Sequence, residues 1–175
     1  MILFESNNDF ENKIFASLFE QKKISVTLNS SSNFFFKLNF LIQSDLLKIT
    51  HAEKRFIFKL PTSFDQVFVT IYDYLSNLNL NYFSFQYNPI LQSISYLNKT
   101  INLGSIHNSI IKHLILNMEN GFDKNFLYQI IWPNDKEIQL NKLDTHMTNL
   151  KNKFKEIGLN IKFSSNNGQL KLIIN

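Results

Sequence analysis

Residues 140–158, which read LNKLDTHMTNLKNKFKEIG, decide the fold of the second half of the chain. The apolar side chains in this stretch recur in steps of four, three, four and three residues: Leu143, Met147, Leu150, Phe154 and Ile157. This spacing predicts a helix from about Lys142 to Ile157 with one buried face, ended by Gly158. The opposite face carries short amides and hydroxyls among lysines. Asn and Thr favour a helix less than Ala, Glu or Gln do, so helix propensity does not explain this face.

Two shorter helices are expected before this one. Ser105 can cap a helix that runs to about Met118, and Asp123 can cap a short helix that ends at Trp132. Pro133 stops the second helix, because proline cannot continue its hydrogen-bonding pattern. Trp132 is expected to lie in the core, since it ends a buried helix face.

A β-hairpin is expected after the long helix. Strands at 159–165 and 169–175 flank Asn167-Gly168, the kind of residue pair that most strongly predicts a two-residue hairpin turn. Short strands separated by turns are expected at 83–103. Leading strands, two helices, a long third helix and a hairpin make a winged helix-turn-helix, in which the helix before the hairpin lies in the major groove of DNA.

The polar face of the long helix suits this arrangement. Thr and Asn side chains hydrogen-bond to base edges, and lysines neutralise phosphates. The residues of this helix that we expect to contact DNA are Lys142, Thr145, Thr148, Asn149, Lys151, Asn152 and Lys153. The alternative is that the lysines, with Lys155, form only a solvated surface.

Charge is distributed unevenly along the chain. Residues 1–82 contain 8 basic and 8 acidic side chains and residues 83–175 contain 10 basic and 6 acidic ones, so the net charge of +4 arises in the second half. This basic surplus favours nucleic acid as the partner. Arg55 is the single arginine among 18 basic residues, which we interpret as the mark of an AT-rich genome.

What the sequence lacks disfavours several functional classes. The absence of cysteine rules out disulfides, Cys-zinc sites and thiol catalysis, and it fits a cytoplasmic protein. As a DNA-binding protein, it is expected to be nucleoid-associated. The first half has no glycine for a phosphate-binding loop. No run approaches the about 20 apolar residues of a membrane span, and MILFESNNDFENK is not expected to be a signal peptide. Scattered acids argue against an enzyme, and neither a cofactor nor a metal at His107 and His113 is expected.

From about Phe83 onward, the sequence resembles the DNA-binding domain of OmpR/PhoB-type response regulators. KLDTHMTNLKNKF is similar to the family's T-L-D-V-H-I-x-x-L-R-x-K-L recognition helix. The family's G-x-x-[S/D]…L-x-x-x-V-W run is matched by Gly121, Asp123, Leu127, Ile131 and Trp132. The resemblance implies that His146 contacts a phosphate; a plain surface histidine is the alternative. It also implies that the wing enters the minor groove through its tip, here Ser165, Asn166 and Asn167.

Residues 1–80 resemble a truncated receiver domain. ILFESNNDFENKIFASLFEQKKISVTL is similar to the receiver's first strand, helix and second strand, and FIFKLPTSFDQVFVTIYDYL to its last strand, Lys-Pro turn and final helix. The acidic pair that binds magnesium in receivers becomes Glu5 and Ser6, and Asp45 is the only candidate phosphoacceptor. Because aspartate phosphorylation needs a cation held by several carboxylates, we expect no phosphoacceptor here.

The sequence therefore predicts an α+β protein: a small receiver-like α/β domain at 1–80, a polar junction at 77–81, and a winged-helix domain with leading antiparallel strands at 83–175. We expect a transcription regulator that binds double-stranded DNA without phosphorylation control. Its runs FFFKLNFLI and RFIFKL exceed what so small a domain buries, which predicts a homodimer through the N-terminal half. The alternative is an interaction module that binds RNA polymerase or another regulator, since Thr148, Asn149 and an uncharged wing tip replace basic residues of the family.

Overall fold

The computed structural model describes residues 1–82 and 84–174. Within these ranges it has five helices and three sheets, the mixed α and β architecture that the sequence predicts. The elements divide into two compact units, Met1–Asn77 and Leu78–Asn175. Among the described residues, no helix is long and apolar enough to cross a membrane. Phe83 and Asn175, the expected first residue of the second domain and last residue of the hairpin, lie outside the described residues.

The first unit is built around one five-stranded sheet. Its elements are β1 (Ile2–Ser6), α1 (Asp9–Gln21), β2 (Val26–Thr27), β3 (Phe36–Gln43), β4 (Leu46–His51), β5 (Lys54–Lys59) and α2 (Phe64–Ser76). The strand order is β2-β1-β3-β4-β5, with β1 parallel to both of its neighbours and β4 antiparallel to both of its own. Ser44 and Ala52 take positive φ angles of 54° and 49° in the tight turns that join β3, β4 and β5.

Both helices of the first unit pack on the same face of this sheet. The ring centroid of Phe19 in α1 lies 4.9 Å from that of Phe4 in β1, and Tyr74 in α2 lies 5.0 Å from Phe56 in β5. The two predicted apolar runs direct several phenylalanines into this layer, where they are buried: Phe36, Phe40 and Phe58. The same runs also leave three aliphatic side chains exposed: Leu41, Ile42 and Ile57.

The second unit starts with an antiparallel sheet and continues with three helices and a hairpin. Its elements are β6 (Leu80–Tyr82), β7 (Phe85–Asn88), β8 (Ser93–Tyr96), β9 (Lys99–Asn102), α3 (Ser105–Leu116), β10 (Phe122–Asp123), α4 (Lys124–Ile131), α5 (Leu140–Glu156), β11 (Ile161–Asn166) and β12 (Gln169–Ile174). The first sheet has the order β6-β7-β8-β9, and the second has the order β10-β12-β11. The short strand β10 thus connects the hairpin to the segment that enters α4.

The apolar stripe of α5 forms part of the core of the second unit. Leu143, Leu150 and Phe154 are fully buried, and Met147 is 9% exposed. Both α3 and α4 contact α5, and they contribute buried side chains such as Ile110, Leu114 and Leu127. Burial of this stripe determines which face of α5 points outward.

Several element ends differ from the predicted ones by one or two residues, and three local differences bear on the fold. The N-cap of α3 is Gly104, which has no side chain to make a capping bond, so Ser105 is the first helical residue and not the cap. Helix α5 begins at Leu140 rather than Lys142. Residues 80 and 81 belong to strand β6, which pairs with β7, so they are not part of a junction.

Candidate nucleic-acid interface

Helix α5 presents a continuous polar row opposite its buried stripe. Asn141, Thr145, Thr148 and Asn152 follow one another at helical spacing, with Asn149 beside them. All five side chains are exposed. The 17 residues of α5 span about 25 Å, and a helix fits a DNA major groove, which is about 12 Å wide. The row can therefore face base edges over several base pairs.

The two threonines of this row use their hydroxyl protons within the helix. The Thr145 hydroxyl donates to the Asn141 carbonyl at 2.9 Å, and the Thr148 hydroxyl donates to the Asp144 carbonyl at 3.0 Å. Each threonine is left with a methyl group and hydroxyl lone pairs for a partner. A methyl group suits apolar contact with the C5-methyl of thymine.

The three asparagines keep their amides available. Within the described ranges, the side-chain amides of Asn141, Asn149 and Asn152 make no hydrogen bond. Each can therefore donate and accept at the same time, which is the combination that pairs with N6 and N7 of adenine. These amides are the groups of α5 best suited to direct reading of a base.

Lys142, a predicted DNA contact, is already engaged inside the protein. Its ammonium lies 2.8 Å from Asp135 Oδ2 and 4.4 Å from the centroid of the Trp132 ring. The Tyr128 hydroxyl donates to the same carboxylate. Hydrogen bonds from Lys142 and then Tyr128 lower the pKa of Asp135. A phosphate would have to compete with this carboxylate for Lys142.

The remaining lysines of α5 are less constrained. Lys151, Lys153 and Lys155 make no ion pair within the part of the chain that the structure describes. Lys155 is exposed and the other two are half-buried. The Lys153 ammonium lies 3.5 Å from the carbonyl of Asn102. These three lysines flank the polar row and are placed to meet phosphates on either side of a groove.

The hairpin ends in an exposed, uncharged tip. Asn167 and Gly168 form its turn with φ angles of 49° and 76°, as the preferred two-residue turn requires, so the predicted turn is confirmed. Ser165, Asn166 and Asn167 are all exposed. They offer hydrogen-bonding groups to a partner but no positive charge.

Lys124, which the sequence did not single out, connects the hairpin with two helices. Its backbone N–H donates to the Gly168 carbonyl at 2.9 Å, and its ammonium lies 2.6 Å from the Asp144 carboxylate in α5. Asp123 caps α4 by accepting a hydrogen bond from the Phe126 N–H at 2.7 Å, which confirms the predicted cap. Lys124, the first residue of α4, is thus bonded to both the hairpin turn and α5. Asp144 lies twenty positions after Lys124 in the sequence, and no local pattern signals their pairing.

His146 lies on the flank of α5 between two other rings. Its centroid is 5.4 Å from Trp132 and 5.6 Å from His107. His146 and Trp132 are both half-buried. The prediction that Trp132 is a core residue is therefore wrong: it ends α4 near the surface, where it contacts Lys142 and His146. The rings that neighbour His146 limit how far it can turn toward a phosphate.

The ring of His107 favours its neutral form. Burial, followed by the charges of Lys153 and His146, lowers the pKa of His107. Its Nε2 is buried and has no hydrogen-bond partner among the described residues. In the same ranges, no group of three or more His, Cys, Asp or Glu side chains lies close enough together to hold a metal ion.

The predicted remnants of a receiver site lie apart in the first unit. Glu5 forms an ion pair with Lys37 at 2.7 Å. Ser6 at the end of β1 lies beside Phe40, and β3 continues for three residues beyond that position, about 10 Å along the strand. Asp45 follows in the exposed turn after β3. This geometry does not bring Asp45 to the end of β1, where Glu5 and Ser6 lie.

Comparisons with known proteins find solved structures that are similar to part of this chain. No protein family and no curated protein matches the chain. A solved structure that does match is the C-terminal domain of the nisin resistance regulator NsrR, a lantibiotic response regulator. The two share 25% sequence identity with a TM-score of 0.44, over 54% of this chain and 96% of that one. A TM-score this low does not establish a shared fold, so the function rests on the geometry of the second unit.

Proposed function

We propose that the second unit is a winged helix that binds double-stranded DNA and regulates transcription. In this proposal α5 enters the major groove and the β11–β12 hairpin is the wing. The observation that carries the proposal is the exposed Asn/Thr row of α5, flanked by Lys151, Lys153 and Lys155, which form no ion pair with any described residue. A helix face that served only solubility would favour Glu, Gln and Lys, which support a helix better than Asn and Thr do.

The proposed contacts divide by chemistry. Base edges are contacted from the polar row by Thr145, Thr148, Asn149 and Asn152. Phosphates are contacted from the flanks by Lys142, His146, Lys151, Lys153 and Lys155. The wing tip, formed by Ser165, Asn166 and Asn167, hydrogen-bonds to the backbone or the minor groove. Affinity then depends mainly on the lysines, and sequence preference mainly on the amides.

A mobility-shift titration tests this proposal. The full chain is titrated against duplex DNA at about 50 and 200 mM salt, where lysine-phosphate contacts predict a clear loss of affinity. A mixed-sequence duplex and an AT-rich duplex are compared, since adenine and thymine match the amides and methyl groups of the row. Absence of a shifted complex at the lower salt, with protein at tens of micromolar, contradicts DNA binding.

Two observations favour a second function, an interaction module that binds RNA polymerase or another regulator. The wing tip is uncharged, and Lys142 is held by Asp135 and Trp132. Both features reduce the phosphate contacts on which non-specific DNA binding depends. This alternative predicts no DNA complex, together with a protein complex that is lost when Asn149 and Asn152 are replaced by Ala.

We infer that the first unit does not accept a phosphoryl group. The ion pair of Glu5 with Lys37 and the distance of Asp45 from the end of β1 support this inference. After incubation with acetyl phosphate and magnesium, intact-mass spectrometry should show no added phosphate on the chain. An acyl phosphate mapped to Asp45 contradicts it.

We also propose that the protein is a homodimer through its first unit. Exposed apolar side chains on its helices support this: Phe10, which is 69% exposed, Ile14 one turn later, and Val69. Two winged helices in one dimer would meet half-sites about one helical turn apart, and the second would bind at raised effective concentration.

Light scattering should give a dimer for the chain and a monomer for Phe10→Ser. Leu97→Ser, at an exposed leucine of the second unit, is the control that keeps the dimer; a monomeric parent chain at tens of micromolar contradicts the proposal.

A further inference from the structure

The sheet face opposite α1 and α2 carries two neighbouring rows of side chains, and we call it the open face. The strand register places Glu5, Asn39, Thr50 and Arg55 in one row across β1, β3, β4 and β5. The next row contains Leu41, Lys48 and Ile57. Leu41 is 42% exposed and Ile57 is 60% exposed. A polar row therefore lies beside a row with two exposed aliphatic side chains.

A cavity of about 530 Å³ lies over these two rows. Ser6 and Asn7 at the end of β1, together with Phe40 of β3, complete its lining. Its volume falls within the about 300–1,000 Å³ that is usual for small-molecule sites, and its mixed lining is also typical of them. A flat or wholly charged sheet face would not offer such a site.

Two cations of the cavity are placed to hold one anionic group. Lys48 lies opposite Ile57, which makes Arg55 its diagonal neighbour on the next strand, about 7–8 Å away. Arg55 makes no hydrogen bond or ion pair with any described residue, so its planar fork of donors is available. Among the residues that the structure describes, Lys48 donates to Gln43 alone, at 3.1 Å. The single arginine of the chain thus stands in this cavity, where bidentate binding of a carboxylate or phosphate needs arginine rather than lysine.

The charge of the open face favours an anion over a second copy of the chain as the occupant of the cavity. Strands β1, β3, β4 and β5 direct one carboxylate to this face, from Glu5, and four cations: Lys37, Lys48, Arg55 and Lys59. Glu5 is already paired with Lys37 at 2.7 Å. Two copies of this face would bring like charges together, which opposes packing of one copy on another. An anion is favoured by the same charges.

We propose that the open-face cavity binds a small amphiphilic anion. Its carboxylate or phosphate group lies between Lys48 and Arg55, where the Thr50 hydroxyl can add a hydrogen bond. Its apolar part lies on Leu41 and Ile57. This site belongs to the first unit and does not depend on DNA binding by the second.

Amide NMR of the labelled full chain tests the site with defined probes. Octanoate and octyl phosphate share an apolar tail and differ in the anionic group, and octylammonium carries the opposite charge on the same tail. Both anions are expected to give saturable shifts at amides of β3, β4 and β5 around Asn39, Thr50 and Ile57, and the tighter of the two identifies the headgroup. Octylammonium is expected to bind at least tenfold more weakly. Equal binding of octanoate, octyl phosphate and octylammonium overturns the proposal, and this comparison needs no variant.

Two matched variants locate the anionic group. Arg55→Gln should weaken anion binding about tenfold, as loss of one charge-assisted donor predicts. Lys59→Gln removes the same charge from the same strand and face, outside the cavity lining, and should weaken binding less than twofold. Equal losses in both variants overturn the proposal. A second result also overturns it: either variant changes the molecular mass of the protein in solution and leaves anion affinity unchanged. That result would mean that the open face is a contact between two copies of the chain.

Discussion

The buried and outward faces of α5 are made of different kinds of side chain, and different requirements select them. Leu143, Leu150 and Phe154 fill the core, where shape and apolar area decide what is tolerated. Asn149 and Asn152 are exposed, and they favour the helix less than common surface residues do. The buried face therefore specifies the fold, and the outward face is free to specify a partner. Substitutions that affect stability should separate cleanly from those that affect binding.

The largest expected effect is on the buried face. Phe154→Ala removes a side chain with no exposed surface and leaves a cavity, which should reduce the free energy of unfolding by about 3–5 kcal/mol. Urea denaturation of the full chain, followed by circular dichroism, measures this loss. Asn152→Ala, two positions away on the outward face, is the matched control and should stay within about 0.5 kcal/mol of the parent. Similar losses in the two variants would contradict the separation of the faces.

The next effect is on the outward face and concerns recognition. Asn149→Ala should leave stability unchanged and reduce discrimination between a preferred and a random duplex by about 1–3 kcal/mol, the value of one bidentate adenine contact. Competition titrations with the two duplexes measure this difference. Asn160→Ala changes an exposed asparagine outside α5 and should keep the parent discrimination. Unchanged discrimination in Asn149→Ala would remove this residue from base reading.

The two faces also differ in how far the sequence could predict them. The buried stripe repeats at helical spacing, so it predicted α5 to within two residues of its start and identified its core side chains. The outward side chains were named from the same periodicity. Their partners were not predictable: Lys142 pairs with Asp135 and covers Trp132, and both contacts depend on the path of the loop between α4 and α5. The half-buried position of Trp132 was missed for the same reason.

In the first unit, the apolar runs predicted the strands but not which strands pair with each other. The sequence of residues 34–60 has few turn signals. Two of its turns contain Ser44 and Ala52 at positive φ, where Gly or Asn is the residue that usually indicates such a turn. The alternation along β3 and β5 gave no reason to expect that both helices lie on one face. The open face and its cavity follow from that arrangement, so they could not be found before the structure.

A smaller effect should come from one lysine at the edge of the outward face. Lys155→Gln removes a proposed phosphate contact, so the slope of log affinity against log salt should become shallower by about 0.9. Sequence discrimination should not change, because the lysine does not touch a base. Mobility-shift titrations at four salt concentrations measure the slope. Lys13→Gln removes the same charge from the first unit and should keep the parent slope; equal changes in both variants would mean that only total charge matters.

The smallest expected effect is at His107 of α3, whose ring contacts His146 on the flank of α5. Burial, with Lys153 and His146 on α5, lowers the pKa of His107 below its ordinary value of 6.5. The unfolded chain therefore takes up a proton more readily than the folded chain. This contribution to stability is complete above about pH 6.5 and is lost as the pH falls from there toward the lower pKa of the folded state.

Urea denaturation at pH 7.5 and 5.5 measures this dependence. Burial also lowers the pKa of His51 and His113, so the parent chain should lose stability at pH 5.5 through all three. The free energy of unfolding of His107→Gln should fall less between pH 7.5 and 5.5 than that of the parent, because one of the three histidines no longer titrates. His146→Gln is the comparison on α5 itself: it removes a charge that disfavours protonated His107, so it should narrow the pH dependence less than His107→Gln does. If the free energy of unfolding of the parent chain is the same at both pH values, the folded protein accommodates protonated His107 without cost, and the prediction is wrong.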